Sequence, residues 1–237
     1  MNINPKNQNI LFGYKNQFNE IVSIFKKNKF PNKVIFSGKR GIGKCTLSYH
    51  FCNYIFSQNE ENKYNIDENK INKENHSFKL IQNNSHPNFF LINLKENKNN
   101  IDIAQIREMI DFTRKSAFNN SYKIILIDNV EFLSQSSTNA LLKIIEEPNH
   151  NIIFLLIYDN SKRIFSTLKS RCIEFKLFLN NNENKQIVDT YFNENIYGKV
   201  SSDFNNYYNT PSSIINFYNY CINNDLDFTT VTIEDFI

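Results

Sequence analysis

Three glycines and a lysine stand at 38, 41, 43 and 44, in the stretch V-I-F-S-G-K-R-G-I-G-K-C-T that runs from Val34 to Thr46. The spacing G-x-x-x-x-G-K lets backbone N–H groups converge on phosphate oxygens, and its lysine reaches the β- and γ-phosphates of a nucleotide. A helix N-terminus behind the loop adds the positive end of its dipole. Gly38, Gly41, Gly43 and Lys44 are therefore candidate nucleotide-binding residues, with Cys45 and Thr46 at the start of the helix. A coincidental glycine turn is the alternative. The place after the lysine ordinarily carries a hydroxyl for Mg²⁺. Cys45 puts a soft thiol there, and hard cations want oxygen. Thr46 comes one place too late, on another side of the helix. The expected cofactor is ATP, with weakened Mg²⁺ binding.

A second candidate lies at Tyr122 to Asp128, Y-K-I-I-L-I-D. Four apolar residues end in Asp at the carboxyl end of a strand, where an α/β sheet places its ligands. Asp128 is expected to hold Mg²⁺ through water. The next residue is Asn129, whose amide cannot take a proton as a carboxylate base can. Glu131 lies two further on, and the pattern does not assign it a side. His86 has no carboxylate or thiol partner within sequence reach and reads as structural. The cysteines at 45, 52, 172 and 221 make no C-x-x-C, and the four His are scattered. No metal site, zinc included, is expected; reduced thiols are.

The elements that must position these residues follow from the apolar pattern. Continuous apolar runs near 33–37, 89–94, 122–127, 152–157 and 172–176 read as strands buried on both faces, which suits a parallel sheet covered by helices. Phe18, Ile21, Val22, Ile24 and Phe25 make one helical face before the glycine loop. The loop helix runs to about Phe56. Ser57 to Asn75 is polar and reads as a surface loop or disordered segment, with a binding insertion as the alternative. Asp102 and Gln105 have capping-box spacing for a helix through Thr113. Arg107, Arg114 and Lys115 sit on its other faces, as solvated surface or as part of a subunit- or DNA-facing surface. A further helix spans 134–147, capped by a Ser near 136 and ended by Pro148. After Leu179, Asn180 to Asn182 reads as a linker, and 185–192 and 212–222 look helical.

With 237 residues, 41% of them hydrophobic, the chain can bury one large domain or a large and a small one. No apolar run approaches a membrane span, and the N-terminus is polar, so a cytoplasmic protein with no membrane partner is expected. A net charge of +3 and the lack of any helix-turn-helix or aromatic-basic motif argue against a plain DNA-binding protein.

Taken together, G-K-R-G-I-G-K-C-T-L, I-I-L-I-D-N-V-E, N-A-L-L-K-I-I-E-E-P, I-F-L-L-I and S-R-C resemble the AAA+ subunits of bacterial DNA polymerase III clamp loaders, the delta-prime type in particular, over about residues 10–179. The resemblance implies an α/β fold: an AAA+ P-loop domain (1–179) with a five-stranded parallel sheet in order 5-1-4-3-2, then a small helical lid domain (180–237). It also implies a helical collar domain, and because few residues follow Leu179, either the collar is lost or the chain is a fragment. It implies that Arg171, in Ser170-Arg171-Cys172, is a finger presented in trans to a neighbour's ATP; a surface or strand-end ion pair is the alternative. In the family a Glu follows the strand Asp, and Asn129 departs from it. The family's G-S-x-G-[RK] sensor is matched only faintly by Asn209 to Ser213, with Ser213 where the arginine belongs. The implied role is a largely non-hydrolysing stator in DNA replication. Its partners would be the clamp-loader motor and delta subunits, with the sliding clamp and primed DNA reached through the complex. An autonomous AAA+ ATPase is the competing reading, motivated by Lys44 and Asp128.

Overall fold

The computed structural model describes residues 4–146, 151–199 and 210–230. Five strands form one parallel sheet: β1 (Lys33–Gly38), β2 (Phe89–Ile92), β3 (Lys123–Ile127), β4 (Ile152–Asp159) and β5 (Ile173–Lys176). Their order is β2-β3-β4-β1-β5, the 5-1-4-3-2 arrangement expected. The longest apolar runs occupy the middle. Every residue of β3 and β4 is buried, whereas the edge strand β5 exposes both its ends. β4 runs through Tyr158 and Asp159, where the sequence suggests an exit loop.

The helices are α1 (Lys15–Lys26), α2 (Lys44–Phe56), α3 (His76–Gln82), α4 (Ile103–Arg114), α5 (Gln135–Glu146), α6 (Ser166–Lys169), α7 (Asn181–Phe192) and α8 (Pro211–Asn223). The chain divides into two compact units. One comprises residues 1–38 and 44–177, the other 39–43 and 178–237. In the first, alternation along the strands sends side chains to two helical layers. Ile35, Ile125, Phe154 and Leu156 pack with Met109 of α4 and Leu141 and Ile145 of α5. On the other face Phe36 meets Phe175, and Phe30 and Phe51 join Phe25 of α1 in an aromatic layer.

Helix ends explain several departures from the sequence reading. Asp102 stands at the N-cap of α4 without a side-chain cap bond, and Gln105 instead donates from Nε2 to the Asn93 carbonyl at 3.1 Å. Asp102 pairs with Lys98 at 3.6 Å, so the expected capping box does not form. The hydroxyl that caps α5 belongs to Ser134, which accepts from Ser137 N–H at 3.1 Å. Lys33 closes the other end by donating to the Ile145 carbonyl at 3.2 Å. Pro148 lies outside the described residues. Asn180, read as linker, caps α7 in a reciprocal box with Glu183. Arg114, on the polar face of α4, pairs with Asp111 at 3.5 Å.

Segment 57–75 is not a loose loop. Tyr64 and Ile71 are buried, and Asn65 and Lys70 form an antiparallel bridge. Several amides here bond one another in place of water. Asn53 donates to Asn75 at 2.7 Å, Asn75 donates to the Asn62 carbonyl at 2.7 Å, and Asn75 also caps α3 by accepting from Phe78 N–H at 2.7 Å. Average polarity hid two apolar anchors and a chain of amides whose cost of burial is offset in part by hydrogen bonds. Glu60 accepts from the His76 and Ser77 N–H groups, both at 3.0 Å, and Ser77 hydroxyl also bonds it. His86 stacks on Phe56 at 4.0 Å and accepts from Asn88 N–H, a structural arrangement. Among the described residues no helix is long and apolar enough to cross a membrane.

His50 gives this region a pH dependence. It is buried in α2 with Nδ1 2.9 Å from the Tyr64 hydroxyl, and burial pushes its pKa down from 6.5 to about 3. Between those values the unfolded chain takes up a proton that the folded chain refuses. The stability is therefore fully present above pH 6.5 and declines as pH falls toward 3, at up to about 1.4 kcal/mol per pH unit. Urea midpoints should drop from pH 7.5 to pH 5, and His50→Gln should reduce that dependence, the remainder lying with His86, whose pKa burial lowers to about 4. An unchanged slope in the variant would place the proton elsewhere.

Candidate nucleotide site and a surface arginine

β1 ends at Gly38 and α2 begins at Lys44, so residues 39–43 make the strand-to-helix turn. Gly41 and Gly43 adopt φ of 86° and 91°, which side chains with a Cβ rarely tolerate. Gly41 has a second constraint inside its own compact unit. A Cβ there would stand 2.7 Å from Thr210 Oγ1, and its carbonyl accepts from Ser212 N–H at 3.1 Å.

Lys44 is buried, and its Nζ donates to the Gly38 carbonyl at 2.7 Å. Burial pushes its pKa down, while Asp159, Glu131 and Asp128 pull the other way. Only Asp128 of these carboxylates is among the residues expected from sequence. Asp159 is the register partner of Gly38 across β1 and β4 and is itself buried. Its Oδ1 accepts from Ser161 N–H at 3.1 Å and Ser161 Oγ at 2.8 Å. Glu131 is half-buried, and its Oε2 accepts from Asp159 N–H at 3.3 Å; burial raises its pKa. A signal for Asp159 was present: the apolar run of β4 ends in Asp, as that of β3 does.

Cys45 is partly exposed, and its thiol bonds the Asp128 carboxylate. Burial first, then Asp128, push its pKa well up, so it is a neutral thiol. Sulfur at this place does not fit Mg²⁺, and the carboxylate beside it is already accepting the thiol proton. Thr46 is half-buried one residue on, about 100° further round α2, and its hydroxyl is no substitute.

Asn129 follows Asp128 with φ 60° and ψ 53°, the left-handed region that Asn visits more readily than other side chains. Placing a carboxylate side chain here therefore meets backbone resistance. Asn129→Glu should cost about 1 kcal/mol of stability and confer no ATP turnover. A denaturant midpoint and a steady-state assay check both. Turnover in the variant would show that position 129 alone silences the site.

Asn209 lies outside the described residues. Ser213, where an arginine is expected, is engaged in capping α8: its hydroxyl lies 2.9 Å from Thr210 Oγ1 and donates to the Thr210 carbonyl at 2.8 Å. Arg171 stands between α6 and β5, on the surface rather than in the interior, and it pairs with Glu146 at 2.7 Å. The ion pair is the arrangement that the alternative reading of Arg171 expects.

The family model for DNA polymerase III, delta subunit, matches residues 13–181. A DNA polymerase III subunit delta' of Pseudomonas aeruginosa is 29% identical over 137 residues, which cover 58% of this chain and 40% of that protein. A DNA polymerase III subunit gamma of Buchnera aphidicola subsp. Baizongia pistaciae is 32% identical over 143 residues, 60% of this chain and 36% of that one. The chain thus spans less than half the length of these curated relatives. Among solved structures, the Thermotoga maritima RuvB Holliday junction branch migration motor superposes with a TM-score of 0.52 at 16% identity, over 96% of this chain and 70% of that one, a likeness of fold. The matched stretch carries the glycine loop, the strand ending in Asp128 and the Ser-Arg-Cys turn; with it, this chain belongs to the DNA polymerase III delta-subunit family, in its delta-prime type, on an AAA+ fold.

Proposed function

We propose that this chain serves a clamp loader as a largely non-hydrolysing AAA+ stator. Its own glycine loop, Gly38, Gly41, Gly43 and Lys44, cradles ATP with poor help from Mg²⁺, and Arg171 completes the ATP site of a neighbouring motor subunit. In this reading 1–179 is the P-loop domain and 180–237 a lid, and delta subunit, sliding clamp and primed DNA are met through the complex. The single observation that carries the proposal is Arg171 at the surface, with its guanidinium held in one orientation. An arginine suits the task because it is always charged and its planar fork matches phosphate oxygens. Cys45 and Asn129 support the other half, because neither supplies the oxygen ligand or the carboxylate base that hydrolysis requires.

A second reading, an autonomous ATPase, is favoured by Glu131. Its carboxylate is near enough to Lys44 to act on that ammonium. A steady-state assay on the isolated chain separates the two. The stator reading expects no turnover above background alone, and a gain in turnover when the chain is added to its ATPase partner. Turnover by the isolated chain that Lys44→Ala abolishes and Glu131→Gln lowers would overturn it.

A further inference from the structure

The guanidinium of Arg171 is held on two sides. Nε donates to Glu146 Oε1 at 2.8 Å, and Nη2 lies 2.7 Å from the same oxygen. Nη1 donates to the Thr167 carbonyl at 2.9 Å. Glu146 is the last residue of α5, and Thr167 belongs to α6, so two separate helices define the plane of the group. The side chains of Arg171 and Glu146 keep relative exposures of 38% and 50%. A pair this exposed adds little to stability. Its larger effect is on geometry. A guanidinium carries five N–H bonds, and these contacts use three. The carboxylate takes the Nε–Nη2 edge, so the outer edge between Nη1 and Nη2 keeps an N–H for an incoming oxygen.

We infer that Glu146 is the positioning residue for Arg171: it fixes the guanidinium so that its outer edge meets the phosphate of a neighbouring subunit's nucleotide. This rests on the finger reading above. Glu146 and the phosphate use different N–H bonds, so the carboxylate orients the finger without competing for it. Arginine otherwise has the rotamer freedom of a long side chain to lose on docking. Holding it beforehand removes part of that cost, and misplacement by about 1 Å can cost a hundredfold in rate.

The test is ATP turnover by a DNA polymerase III gamma subunit from the same organism, reconstituted with this chain as parent, Glu146→Ala, Glu146→Asp, Glu146→Gln, Arg171→Ala and the Arg171→Ala/Glu146→Ala double variant. Glu146→Ala should lower kcat about tenfold with KM for ATP unchanged. Glu146→Asp should restore part of the rate, and Glu146→Ala should add nothing once Arg171 is gone. Parental kcat in Glu146→Ala beside a slow Arg171→Ala overturns the role of Glu146 and leaves the finger intact. A fast Arg171→Ala overturns the finger reading itself, and this inference with it. A faster Glu146→Ala would make the carboxylate a competitor and overturn positioning. So would an equal loss in both backgrounds, which would assign Glu146 to assembly. Glu146→Gln keeps an acceptor and should retain most of the rate; if Glu146→Ala does not assemble, Glu146→Leu, which removes the acceptor, is read by the Glu146→Ala criteria.

Discussion

Arg171→Ala should lower ATP turnover by the reconstituted complex about a thousandfold while the isolated chain melts at the parental temperature. The transferred phosphoryl group develops negative charge that positioned cations stabilise, and a finger supplied in trans is among the largest single contributions to that stabilisation. Arg171 can supply it because its side chain is at the surface and is oriented by Glu146 and Thr167. Stability should hardly respond, because an exposed pair contributes about 0–1 kcal/mol. Arg171→Lys should not rescue turnover, since an ammonium presents a point charge instead of a planar fork. Steady-state turnover with saturating ATP and a parallel thermal melt check the pair of statements. Equal rates for parent and Arg171→Ala would end the finger reading.

Cys45→Ser should raise affinity for nucleotide with Mg²⁺ by on the order of a hundredfold, the upper end of what repairing a metal's surroundings yields, and leave affinity in EDTA nearly unchanged. The two arms isolate the metal. Without it, binding depends on Lys44 and the loop N–H groups, which the substitution does not touch. With it, the parent offers a neutral thiol bonded to Asp128 where the variant offers a hydroxyl oxygen. On the stator reading the variant should show no turnover, because Asn129 is unchanged. Calorimetric titration of ADP and ATP, with Mg²⁺ and with EDTA, is the measurement. The same Mg²⁺ dependence in parent and variant would show that position 45 is not where the metal is lost.

The sequence by itself determined the sheet and its central strands, because runs such as Ile124 to Ile127 and Ile152 to Ile157 are too apolar for any place but a doubly covered middle. It also determined the glycine loop, since the positive φ angles of Gly41 and Gly43 are local backbone facts that residue type announces. Cys45 and Asn129 were legible for the same reason: each is one residue of unexpected chemistry at a fixed offset from a motif.

Only the tertiary structure decided which distant groups share a site. Asp159 comes beside Gly38 through strand register, and Glu131 reaches the Asp159 N–H across 28 residues of chain. Glu146 meets Arg171 across 25 residues, an approach that no periodicity within either helix encodes. The packing of 57–75 belongs to this class too, because Asn75 finds Asn53 and Asn62 as partners only once folded. Short-range rules fix what each segment can be. Carboxylates, amides and guanidinium acquire their partners only when the fold brings separate segments within hydrogen-bonding distance, where water no longer competes on equal terms.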